Sequence, residues 1–130
     1  MVQVSDQEFD RLVAQGIDAI PARFRELMQN VAVVVAGEPT EGERRELKLR
    51  RNEDLYGLYQ GIPQINRRLD SGVLPDKITI FKGPIERAAN SPEHVCAIVR
   101  DTVWHEVAHH FGFSEVAVRR AESRRTRGSG

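Results

Sequence analysis

The stretch that most restricts how this chain can fold is the segment from Pro92 to Phe111, which the spacing predicts as one helix. Ser91 is a good N-cap, Pro92 suits the first helical position and Glu93 suits the positive end of the dipole. Gly112 suits the residue just past the end. Val95, Cys96, Val99, Val103, Trp104, Val107, Ala108 and Phe111 cover most of its circumference. A helix apolar nearly all round belongs in a core, so the rest of the domain must be built around it. The gap in that apolar coat is Asp101, His105, His109 and Gly112.

That gap carries chemistry. The run Trp104-His105-Glu106-Val107-Ala108-His109-His110-Phe111-Gly112-Phe113-Ser114-Glu115 contains H-E-x-x-H, then a Gly and a Glu at intervals of three. Residues four apart on a helix lie about 40° apart around the axis and one turn up. His105 and His109 therefore share a face and can close on one metal ion. Glu106 sits on the flank of that face, placed to reach a water there. Two imidazoles, a third ligand from elsewhere, an open fourth position and a carboxylate base make up what a zinc hydrolase needs. His110 points away from the ligand face and is read as structural. Asp101, one turn before His105, could orient it or pair elsewhere. Cys96 lies on the opposite side and reads as packing.

Length and composition set the frame. The chain has 130 residues, 40% apolar and 29% charged, with a formal charge of zero. That is one soluble domain with one core, expected over residues 1–123, followed by a disordered basic tail over 124–130. Zero net charge gives no field to steer the chain toward nucleic acid or membrane, and neither partner is expected. No apolar run is long enough to span a bilayer. The polar, acidic start (Met1-Val2-Gln3-Val4-Ser5-Asp6) is unlike a signal peptide, and the single cysteine suits a reducing compartment, so a cytoplasmic protein is expected.

The rest of the chain supplies the other elements. Ser5-Asp6-Gln7-Glu8 is a capping box, and Phe9, Leu12, Val13 and Ile17 follow at helical spacing to about Ala19. Pro21 breaks this helix or starts another, with Phe24, Leu27 and Met28 on one face. Val31 to Ala36 reads as a buried strand. Glu38 to Asn52 reads as a solvated loop or a short exposed helix. Leu55 to Pro63 contains a short strand, and Lys77 to Lys82 a clear alternating strand stopped by Gly83-Pro84. Ile85 to Asn90 reads as a connection, and Ser114 caps a last helix from Glu115 to about Ser123. Helices, then strands, then helices give an α+β domain with a mixed or antiparallel sheet of about three strands packed on the long helix.

Three segments resemble a known family, the small bacterial zincin-like metallopeptidases (minimal zincins, or minigluzincins). They are Leu58 to Pro63, Leu74 through Lys82 to Ile85, and Thr102 to Glu115. The resemblance implies a minimal zincin-like domain whose last strand runs along the cleft above the H-E-x-x-H helix. It implies Zn2+ as cofactor, His105 and His109 as ligands, Glu106 as the catalytic carboxylate, and Gly112 as the turn that redirects the chain. Glu115 falls where the extended motif places an acidic or small polar residue and is the expected third ligand. A role in the helix dipole competes for it, and Glu122, on the same helical face, is the alternative ligand. Larger relatives with a third His have it where Glu115 stands, with a Met-containing turn downstream that this chain lacks. The implied activity is peptide-bond hydrolysis, with a peptide or protein substrate added along the strand Ile78 to Lys82. Tyr56 and Tyr59 could donate to the oxyanion, although packing suits them better. The alternative is a metal-binding or interaction protein that keeps the fold without the activity.

Overall fold

A computed structural model describes residues 1–46, 55–61 and 75–112. The expected last helix, the basic tail and residues 62–74 lie outside these residues. The first helix, α1 (Asp6–Asp18), starts where the capping box predicts, and the Ser5 hydroxyl accepts the Glu8 N–H. Pro21 then starts a second short helix, α2 (Ala22–Arg25), which passes into a 3-10 turn at Glu26–Met28. Strand β1 (Val31–Ala36) follows, then α3 (Glu41–Glu46), capped by the reciprocal bonds of Thr40 and Glu43. Strands β2 (Gly57–Gln60) and β3 (Asp76–Phe81) complete the described sheet.

Helix α4 (Lys82–Ala88) occupies residues that the Gly83-Pro84 stop signal predicted as a turn and a connection. Pro84 lies in the first turn, where a missing N–H leaves no helical bond unmade, so the pair starts a helix here. Helix α5 (Pro92–His110) is the long helix the sequence predicted. Ser91 caps it through the His94 N–H, and Gly112 takes the left-handed conformation (φ 79°) just past its end.

The described sheet is mixed, in the order β1-β3-β2, with β1 parallel and β2 antiparallel to β3. Strand β3 is therefore central. Over Ile78 to Ile80 both sides of β3 are taken by neighbouring strands, so that stretch has no open edge to which a peptide could add. Ile78 to Phe81 pair with Val33 to Ala36 on one side, and Ile78 to Ile80 pair with Gly57 to Tyr59 on the other. Among the described strands β1 lies at an edge and is not buried, and Val34 and Val35 are each 40% exposed.

One face of the sheet packs on α1 and α5. Ile78 and Ile80 meet Phe9, Leu12 and Val13 of α1 and the valines of α5 in one cluster. On α5, Val95, Val99, Val103 and Val107 are completely buried. Four such side chains in one i, i+4 row contribute roughly 1.5–3 kcal/mol each. The opposite face holds a smaller cluster of Leu55, Leu58 and Phe81. Among the described residues, no helix is long and apolar enough to cross a membrane.

Helix α5 comes closest to the sheet at β2. A Cβ built on Gly57 would stand 2.7 Å from the Thr102 methyl and 3.2 Å from the Thr79 carbonyl oxygen. Gly57→Ala is expected to destabilise the protein by about 1–3 kcal/mol, because the Thr79 carbonyl is held in the β2–β3 ladder and the Thr102 methyl must leave its rotamer to make room. Gly37→Ala, where nothing lies within 4 Å, should stay within about 0.5 kcal/mol. Chemical denaturation of both variants checks the contrast.

Candidate metal centre

The periodicity of α5 separates its working faces. His105 lies about 160° around the axis from Val103, on the far side from the valine row. His105 and His109 come together as predicted, their ring centroids 6.3 Å apart and their planes 36° from parallel. His105 is half-buried and His109 exposed. Two imidazoles sharing one zinc at about 2.0–2.1 Å per bond have centroids roughly 5 Å apart. A modest side-chain rotation spans the difference, so the pair fits such an ion. Among the described residues, no group of three His, Cys, Asp or Glu side chains converges to hold a metal. Glu115 and Glu122, the candidate third ligands, lie outside the described residues.

Glu106 lies between the histidine face and β2. Burial pushes its carboxyl above the ordinary value of 4.5. The His109 ring, the Tyr59 main-chain N–H and the His105 ring each act in the opposite direction. The Tyr59 contact follows from the ladder. Phe81 N–H donates to the Tyr56 carbonyl (2.9 Å), so Tyr56, Leu58 and Gln60 turn their polar groups toward β3. Gly57 and Tyr59 then turn theirs outward, and Glu106 meets the second of them.

Three side chains beside the centre were missed or undervalued by sequence reasoning. Tyr59 donates its hydroxyl to the Asp76 carboxylate at 2.5 Å. It is therefore not aimed at an oxyanion. Its ring stacks on His110, centroids 4.0 Å apart and planes 21° from parallel. His110 Nε2 lies 3.6 Å from Asp76 Oδ2. His110 is thus structural, as expected, and points to the sheet. Asp76 is a buried acid at the start of β3. A signal for this cluster was present in Gly57-Leu58-Tyr59-Gln60-Gly61, because a glycine in a strand marks close backbone approach.

Asp101 does not orient His105 through the contacts described. Its carboxylate accepts from the neighbouring Arg100 guanidinium at 2.8 Å. Asp101→Ala should therefore leave zinc affinity within about twofold, whereas loss of a true orienting partner costs about 10–100-fold. Competition with a chelating dye measures this. Glu106 yields a second expectation, for metal-free protein. Its folded-state pKa is raised, so the folded chain holds the proton more tightly than the unfolded chain. Its contribution to stability is present below 4.5 and is lost as pH climbs through the raised value. Metal-free Glu106→Gln should melt no lower than metal-free wild type at pH 7, and that relative advantage should shrink at acid pH.

The fold resembles the solved structure of a conserved hypothetical protein (TTHA0227) from Thermo thermophilus. The TM-score is 0.53 and the identity 23%, over 88% of this chain and 99% of that one. A comparison with curated proteins returned no match. Residues 28–125 match the family described as zincin-like metallopeptidase, which spans β1, β2, β3 and the whole of α5. With the H-E-x-x-H pair placed on one face of a buried helix beside a mixed three-stranded sheet, the chain belongs to the zincin-like metallopeptidase family.

Proposed function

We propose that this protein is a zinc-dependent peptidase. The observation that carries the reading is the placement of Glu106, with two imidazoles on the adjacent face of α5 and the outward main chain of β2 against its carboxylate. His105 and His109 would hold the metal, with Glu115 as third ligand and Glu122 as the alternative. Zinc, when bound, would activate water near neutral pH and stabilise charge developing on the substrate carbonyl oxygen. Glu106 would accept the proton of the attacking water and deliver it to the leaving amine, a task that a raised carboxyl pKa suits. An extended peptide would lie along the outer edge of β2, where Gly57 and Tyr59 direct their main-chain groups. This replaces the central strand as the proposed substrate edge.

A second reading is favoured by the same Tyr59–Glu106 contact. Glu106 could serve only to hold β2 to α5, with zinc joining the end of α5 to the following segment in a metal-binding or interaction protein. One substitution separates the two. In a peptidase, Glu106→Gln should lower hydrolysis of a peptide library by about 10²–10⁴-fold. Zinc should stay at about one per chain. In a structural site, neither wild type nor variant cleaves any peptide. Metal analysis of His105→Ala and His109→Ala should show zinc lost, and Glu115→Ala should show it weakened.

A further inference from the structure

Strand β2 is short, and among the described strands it is paired on one side alone. Its sideways position on α5 must therefore come from side chains. On the face toward α5 it offers Gly57, Tyr59 and then Gly61, so Tyr59 is the one side chain that can anchor it there. Leu58 turns to the other face, into the cluster with Leu55 and Phe81.

The anchor of Tyr59 is built from two directions. Its hydroxyl donates to Asp76, a buried acid whose own N–H donates to the Asn30 carbonyl at 3.0 Å. Asp76 is thus fixed to the middle of the sheet. The ring lies flat on His110, one turn past Glu106 on α5. The main-chain N–H of the same residue points out of the ladder on the side of Glu106, where it acts to lower the proton affinity of that carboxylate. We propose that Tyr59 is the positioning residue of Glu106: Asp76 and His110 hold its side chain, and its main chain thereby sets where the carboxylate stands. The consequence for turnover rests on the peptidase reading. The positioning itself does not.

The test uses full-length protein, with amide exchange followed by NMR and peptide hydrolysis measured beside it. In wild type the Tyr59 amide should exchange slowly although it points away from the ladder. Glu106→Ala should speed it roughly tenfold, while the Leu58 amide, bonded into β3, keeps its rate. Tyr59→Phe keeps the stacked ring and removes the bond to Asp76, and Asp76→Asn weakens the same bond from the other side. Each should speed Tyr59 exchange at least about threefold with Leu58 unchanged. Each should also lower kcat about ten- to a hundredfold, with KM within about twofold. An unchanged Tyr59 exchange rate in both variants would overturn the proposal. So would equal acceleration of Tyr59 and Leu58, which would mean that the strand as a whole had loosened. If wild type cleaves no peptide, the peptidase reading fails alone, and the exchange rates still decide whether Tyr59 positions Glu106.

Discussion

The arrangement depends on how α5 lies along β2. Thr102, Glu106 and His110 form an i, i+4 row on the helix, and Gly57, Tyr59 and Gly61 an i, i+2 row on the strand side. Four helical residues rise about 6.0 Å and two strand residues about 6.6–6.8 Å. The two rows therefore stay in step over two intervals, which is the length of the contact. Thr102 meets Gly57, Glu106 meets the Tyr59 main chain, and His110 meets the Tyr59 ring and the space above Gly61. A side chain at position 57 would lift the helix away, and the carboxylate would lose its main-chain partner.

Helix α5 serves two ends through one periodicity. Its valine row is locked into the core against α1 and the sheet, and that burial makes the helix a rigid mount. The histidines stand on the far side, where a metal can be reached from outside the core. Glu106 lies between the two environments. It is buried enough for its proton affinity to rise, and it still has a main-chain donor and two imidazoles beside it. A carboxylate in that position can hold a proton during a reaction without being stranded in an apolar wall.

The buried acid Asp76 has a comparable logic. A carboxylate inside a small core is costly unless it is bonded. Here it receives the Tyr59 hydroxyl and faces the His110 ring, so the sheet, the edge strand and the last turn of α5 meet at one polar point. That point lies next to His109 in the chain and two strand residues from the Gly57 contact. The candidate centre is thereby supported from the sheet side by Tyr59, Asp76 and His110.

The sequence alone determined what depends on neighbours along the chain. The caps at Ser5 and Ser91, the stop at Gly112, the near-complete apolar coat of α5 and the His105, Glu106 and His109 spacing are all local, and helix geometry turns them into positions directly. Even Gly83-Pro84 was a local signal, and it failed because the same residues that end a strand can open a helix. Tertiary structure alone decided that β3 lies between β1 and β2, because pairing joins Val33 to Ile78 and Tyr59 to Ile78 across gaps that no periodicity spans. It also decided that Tyr59 joins Asp76, His110 and Glu106. Glycines, tyrosine and acid were each visible in the chain, but their partners came from other strands and another helix, and only packing brought them within reach.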